Sequence, residues 1–117
     1  MSSHLYNTIL ALVDGYDYIE FNSGYGNAFE RTATDIAKNI LLGRTEKAGT
    51  VNLWLPYRNT EHIQNHKYYE AFFDWIVVYS EKQSKTAVKK CKKELIKYSD
   101  LIIFAYRKGI LIKGKCK

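Results

Sequence analysis

The run Tyr18-Ile19-Glu20-Phe21-Asn22-Ser23-Gly24-Tyr25-Gly26-Asn27-Ala28-Phe29-Glu30-Arg31-Thr32-Ala33 decides the fold. It reads as a short strand, a tight glycine turn and the first turn of a helix, which is how open α/β sheets present a ligand site. Glycines at 24 and 26 let the backbone turn sharply and approach a ligand closely. The helix that follows offers unpaired N–H groups and a positive dipole end, and Glu30 stands where a carboxylate is electrostatically favoured. A glycine pair this short also serves as a plain strand-to-helix turn, so its meaning depends on the rest of the chain.

Working outward, Ser2 and Ser3 can cap a helix running to about Asp14, with Leu5, Ile9, Leu12 and Val13 at helical spacing and Gly15 as its end. Asp17 to Asn22 is the first strand, rich in residues suited to a buried pleat. A second helix runs from about Asn27 to Leu42, with Phe29, Ala33, Ile36, Ala37, Ile40 and Leu41 on one stripe and Gly43 closing it. Arg44 to Gly49 reads as a polar connection. Val51 to Leu55 is a second strand, stopped by Pro56, the single proline.

Tyr57 to Lys67 turns polar and reads as a loop before a short helix that includes Lys67 to Phe72. The third strand runs from Asp74 to Tyr79, and its Trp75-Ile76-Val77-Val78-Tyr79 is continuously apolar, as expected of a strand covered on both faces. Gln83 to Tyr98 is a lysine-rich helix with Val88, Cys91, Leu95 and Tyr98 on one face and Lys85, Lys89, Lys92, Lys93 and Lys97 spread over the other. Leu101 to Tyr106 is a fourth strand. Arg107-Lys108-Gly109 suggests a three-residue hairpin loop with glycine in the left-handed position, returning Ile110 to Ile112 antiparallel as an edge strand that terminal lysines would blunt. The alternation of strands and helices implies a Rossmann-like three-layer α/β/α fold: a mostly parallel sheet of about four strands, an antiparallel C-terminal edge strand and helices on both faces.

Composition fits that reading. At 117 residues the chain is one domain, and 46% hydrophobic with 26% charged residues is globular rather than disordered. No apolar run reaches the length a bilayer requires and the N-terminus lacks a signal-peptide pattern, so a cytoplasmic protein without a membrane partner is expected. Cys91 and Cys116 have no metal-ligand spacing and read as reduced thiols. A net charge of +6 suits an anionic partner, a nucleotide, a nucleic acid or an acidic protein face, and equally suits solubility.

In this order the segments resemble the SLOG superfamily of Rossmann-like nucleotide-binding domains, in its YspA/YpsA-like branch. The family's strand ending in Phe-x-Ser-Gly-Gly, then a small residue, another Gly and a helix-opening Asp, is matched by Phe21-Asn22-Ser23-Gly24-Tyr25-Gly26-Asn27-Ala28-Phe29-Glu30. Leu55-Pro56-Tyr57 matches its Leu-Pro-Phe/Tyr strand end, Tyr68-Tyr69-Glu70 its tyrosine-bearing helix, Val77-Val78-Tyr79-Ser80 its strand ending in Ser, and Ser99-Asp100 its Ser-Asp strand start. The likeness runs from about Leu5 to Tyr106. It implies a nucleotide-binding crevice at the carboxyl ends of the strands. Ser23, Gly24, Tyr25, Gly26 and Asn27 would form its floor, Glu30 would order the turn or touch a ribose hydroxyl, and Pro56, Tyr57, Ser80 and Tyr106 would line the rim.

The chain departs from the pattern too. Tyr25 and Ala28 replace family glycines, and a Tyr25 ring at that turn either blocks a pyrophosphate or stacks on a base or ribose. Glu30 replaces the Asp, the Arg-Asn pair falls on Cys91 and Lys92, and the Gly-Gly-Thr turn, first strand and final helix have no counterpart, as in a trimmed member.

Catalytic arrangements are thin. Ser23 lacks a Gly-x-Ser-x-Gly elbow and a positioned histidine. His62 and His66 are spaced i, i+4 but lack a third ligand, and read as exposed histidines rather than a metal site. The leading reading is thus non-catalytic binding of a nucleotide or nucleotide-derived signal, with no cofactor and a homodimer expected. One alternative is a degenerate inhibitor or anti-defence protein of a phage or mobile element, binding a protein or nucleic acid through Lys85, Lys89, Lys92, Lys93 and Lys97. Another is a phosphoribohydrolase-type hydrolase, for which Glu30 and Glu70 are the candidate groups.

Overall fold

The computed structural model describes residues 2–106 and 109–114. The chain is mixed α/β. Its elements are α1 (Ser2–Gly15), β1 (Ile19–Ser23), α2 (Ala28–Leu42), β2 (Gly49–Leu55), α3 (Thr60–Gln64), α4 (His66–Phe72), β3 (Trp75–Val78), α5 (Lys85–Tyr98), β4 (Leu101–Tyr106) and β5 (Gly109–Gly114). β1, β2 and β3 form a parallel sheet in that order, with Phe21 opposite Val51 and Leu53 opposite Ile76. All three carboxyl ends therefore lie at one edge of the sheet, where the glycine turn also lies.

Local chemistry accounts for the boundaries. Asn27 caps α2, its side chain accepting the Glu30 N–H at 2.8 Å, and Gly43 closes the helix through its N–H to the carbonyls of Asn39 and Ile40. Gly43 does so at φ −76°, an ordinary right-handed conformation, so the stop does not use a glycine's freedom. Ser84 caps α5 in the same way through the Ala87 N–H.

β2 is the central strand and the most enclosed. Alternation sends Val51, Leu53 and Leu55 to the face they share with Leu5, Ile9 and Val13 of α1 and Ala33, Ala37 and Ile40 of α2. Tyr69 and Phe73 close this core. Small residues on α2 let it approach the sheet, and Ala37 is 0% exposed. On the opposite face, Trp54 meets Tyr98 of α5 at 5.4 Å between ring centroids, and the Tyr98 hydroxyl donates to Glu20 at 2.7 Å. Beside them Asn22 Oδ1 accepts from both Asn52 Nδ2 and Trp54 Nε1, at 3.0 and 3.1 Å.

Four expectations need correction. β3 is not covered on both faces: Trp75 is 68% and Val77 38% exposed, while Ile76 and Val78 turn inward. A continuous apolar run carries no period to tell one case from the other. The fourth strand forms, but β4 pairs with β5 in a two-stranded antiparallel sheet rather than extending the parallel one. A short hairpin closes at low loop entropy, so this ladder competes well with a distant partner. The hairpin pairs Tyr106 with Gly109, so its connection is the two residues 107 and 108, which lie outside the described residues, and Gly109 belongs to β5. The polar segment after Pro56 holds a helix of its own, α3, which the sequence had as loop.

On α5 the buried stripe is Ala87 and Cys91, with Leu95 half-buried, whereas Val88 and Tyr98 are 45% and 54% exposed. Burial raises the Cys91 thiol pKa. Cys116 lies outside the described residues. No helix among the described residues is long and apolar enough to cross a membrane.

Candidate functional site

The turn after β1 is held by four interlocking contacts. Ser23, 5% exposed, faces inward from the last position of β1. Its hydroxyl oxygen accepts the Tyr25 N–H at 2.9 Å and is hydrogen-bonded to the Thr34 hydroxyl at 2.8 Å. Thr34 also bonds the Glu30 carbonyl one helical turn back. A carbonyl can only accept, so the Thr34 proton goes there and the Ser23 hydroxyl donates to Thr34. Ser23 is thereby a structural anchor, with no histidine among its partners.

Glu30 supplies the central contact. It is the third residue of α2, where a carboxylate commonly reaches back to the capping residue. Here it reaches further: Oε2 accepts the Gly24 N–H at 3.1 Å, six residues earlier. A side-chain carbon on Gly24 would lie 2.9 Å from that oxygen, and one on Gly26 would lie 3.6 Å from Oε1. The carboxylate therefore lies over both glycines. The turn holds an anionic oxygen, and the oxygen is its own.

Tyr25 adopts φ 51°, the left-handed region that bulky residues rarely visit. Its ring turns into the protein rather than out over the turn, edge-on to Phe73 at 5.4 Å and to Tyr69 at 6.2 Å. The Arg31 guanidinium lies 5.1 Å from the ring centroid, and the phenol donates to Asp35 Oδ1 at 3.0 Å. Burial, then that hydrogen bond, push the phenol pKa well above its ordinary value. A base stacking on this ring would have to displace Arg31.

The expected rim divides. The Ser80 N–H donates to the Pro56 carbonyl at 2.9 Å, joining the ends of β2 and β3 at the same edge as the turn. Tyr57 follows, half-buried. Tyr106 ends β4, away from the parallel sheet's strand order, and its side chain lies outside the described residues. Lys85, Lys89, Lys92, Lys93 and Lys97 are all exposed on α5, with Lys97 in the last turn, where a cation suits the helix dipole.

His62 is the residue the sequence misplaced. It is 3% exposed, not exposed, and its ring stacks on Tyr69 at 5.2 Å with an interplanar angle of 4°. Asn65 breaks the chain between α3 and α4, so His62 and His66 do not share a helix. The aromatic pair is tied down through Glu61, which accepts from the Tyr69 hydroxyl at 2.9 Å and pairs with Arg31 at 3.2 Å. Tyr69 and then Arg31 hold that carboxyl below its ordinary pKa. No group of three or more potential metal ligands occurs among the described residues.

Burial, then the charge of Arg58, lowers the His62 pKa; His66 adds to the lowering and Glu70 opposes it. A histidine depressed in the folded state binds fewer protons than in the unfolded chain, so stability rises with pH through this window and falls below about pH 6.5. His62→Phe, which keeps the stacking on Tyr69, should flatten the melting temperature between pH 5 and 7. A variant with the slope of the parent would mean that His62 takes up its proton freely in the fold.

Sequence reasoning located the turn but missed Thr34, the buried Asn52 and the Glu30-to-Gly24 contact. Thr34 was legible in principle, since it lies one turn beyond Glu30 and beside Ala33 on the buried side of α2. No family model, curated protein or solved structure matches the chain.

Proposed function

We propose that the protein binds a nucleotide or nucleotide-derived small molecule through its phosphate at the Ser23-to-Asn27 turn, without catalysing its conversion. The observation that carries this reading is the Gly24 N–H holding a carboxylate oxygen at 3.1 Å. A backbone donor at a strand end, beside the start of a 15-residue helix, suits a phosphate oxygen for the same reason that it suits Glu30. Occupancy by Glu30 makes binding a competition in which the phosphate must displace a like charge. The bond joining Pro56 and Ser80 at the same sheet edge supports reading them as rim residues. Contacts of α2 with one face of the sheet and of Tyr98 with the other support a Rossmann-like three-layer arrangement, as the likeness to SLOG domains implies.

The test is ADP binding by calorimetry, with the Gly24 amide followed by NMR. Weak binding is expected for the parent protein. Glu30→Ala, which removes the competing carboxylate, should bind at least about tenfold more tightly, a change of about 1.4 kcal/mol. If neither protein binds ADP, AMP or inorganic phosphate with a shift at Gly24, the turn is a structural joint and the reading fails.

A further inference from the structure

β3 ends the parallel sheet: among the described residues it pairs with β2 alone, which leaves its other edge free. The Tyr79 N–H donates to the Leu55 carbonyl at 2.8 Å, so alternation along the strand turns the N–H and C=O of Ile76 and Val78 toward the free edge. The side chains alternate between the two faces. Ile76 and Val78 pack on the core, and Trp75, Val77 and Tyr79 form one exposed row on the face away from it.

Proteins usually blunt such an edge with a charge, a proline or a covering element, because unpaired backbone groups beside an apolar row recruit another strand. Residues 75–80 carry no charge and no proline, in a chain where 26% of residues are charged. The other terminal strand is treated differently: β1 carries Glu20, which accepts from Tyr98 of α5. At the start of β3, Asp74, Trp75 and Ile76 border open space together with Arg58 and Glu70.

The strand complements itself. Trp75-Ile76-Val77-Val78-Tyr79 has the same character in both directions: aromatic, aliphatic, valine, aliphatic, aromatic. Laid antiparallel to a second copy with Val77 on the two-fold axis, Ile76 falls opposite Val78, where the outward backbone groups exchange both hydrogen bonds. Trp75 then falls opposite Tyr79 and Val77 opposite its counterpart, in the non-hydrogen-bonded positions where facing side chains approach most closely. Asp74 falls opposite Ser80 rather than another carboxylate. The seam is therefore neutral despite a net charge of +6, and each residue meets the one its symmetry mate meets, as an isologous interface requires.

We propose that a second copy of this chain pairs with β3 across that two-fold axis, joining the two parallel sheets into one of six strands. Each chain offers a single edge of this kind, so pairing uses it up and assembly stops at two. The size of the row sets the strength. With Trp75 68%, Tyr79 42% and Val77 38% exposed, and about 150–250 Å² on an aromatic side chain, each copy covers on the order of 300 Å². Two copies then bury about 600 Å² of side-chain surface, below the roughly 1,200 Å² of stable complexes, and a dissociation constant on the order of 100 μM is expected. At a few micromolar the chain is monomeric. The interface is separate from the glycine turn, and neither depends on the other being functional.

The experiment is sedimentation velocity of the full chain over about 5 μM to 1 mM, a range that brackets the expected dissociation constant. A monomer–dimer equilibrium with no larger species is expected. Val77→Lys sets two ammonium groups against each other at the axis and should weaken association about tenfold or more, while Leu42→Lys, at a residue 69% exposed at the end of α2, should leave it unchanged. Val77→Cys tests the register without a charge: facing Cα atoms in a non-hydrogen-bonded pair lie about 4.5 Å apart, within disulfide reach. Diamide should therefore link two Val77→Cys chains through the introduced thiols and leave an Ile63→Cys variant, altered on α3, unlinked there. A chain monomeric at 1 mM, a Val77→Lys variant that associates as the parent does, or a dimer whose Val77→Cys thiols do not link would overturn the proposal.

Discussion

Leu53→Ala is expected to lower the unfolding free energy by about 2–5 kcal/mol, the range for removing a buried leucine when the surroundings relax only in part. Leu53 is 1% exposed at the middle of the central strand, between Ser23 of β1 and Ile76 of β3. Above it lie α1 and α2, whose Leu5, Ile9 and Ala37 share the same core. Their attachment to paired strands limits collapse into the space left. A domain of this size has about 6–18 kcal/mol of stability at 0.05–0.15 kcal/mol per residue, so the loss is a large share of the whole. Trp75→Ala is the control, a bigger truncation at a residue 68% exposed, expected within about 0.5 kcal/mol of the parent. Urea denaturation of the three proteins decides it. Equal losses for the two variants would mean that the centre of the core has been assigned to the wrong strand face.

Gly49→Ala should cost about 1–3 kcal/mol, the usual penalty for adding a carbon where there is no room. Gly49 opens β2 opposite Ile19, and a side-chain carbon there would collide with the Ile19 carbonyl oxygen and come within 3.1 Å of its carbonyl carbon. Those are main-chain atoms of a strand fixed by the Ile19 N–H to Ala48 carbonyl bond at 3.0 Å, so relief requires prising β1 from β2. Gly15→Ala tests the opposite case. Nothing lies within 4 Å of the added carbon at the end of α1, and a gain of about 0.4–1 kcal/mol is expected from the stiffer unfolded chain. Thermal melts of both variants check the pair; a neutral Gly49→Ala would show that the two strands do not approach so closely at their start.

What was readable in the sequence follows from how far each signal reaches. α1 and α2 were legible because their apolar residues recur at helical spacing and their caps are local. Gly49 was not: among Arg44 to Gly49 it looks like part of a polar connection, and only its partner Ile19, thirty residues away, gives it meaning. Trp75 and Val77 were read as buried because an apolar strand without alternation offers no clue to which side is covered. His62 was read as exposed because it lies in a mostly polar segment, whereas Tyr69, on which it stacks, lies across a break between helices. At the glycine turn the sequence indicated an anion-favouring position at Glu30, and the fold adds that this residue's own carboxylate is the one held there. The misses turn on which surface covers a residue or which group meets it across a turn or break, from six residues away at Glu30 and Gly24 to thirty at Ile19 and Gly49. That is the information a local pattern lacks.

Tyr25 adds a consequence of its own. A backbone at φ 51° would be met more comfortably by glycine, so a tyrosine is tolerated there only because its ring has somewhere to go. The ring is wedged against Phe73 and tethered to Asp35, and the same residue's N–H is bonded to Ser23. One residue thus touches α4 with its ring and the turn with its backbone, so the seat of that helix and the shape of the turn are fixed by the same side chain.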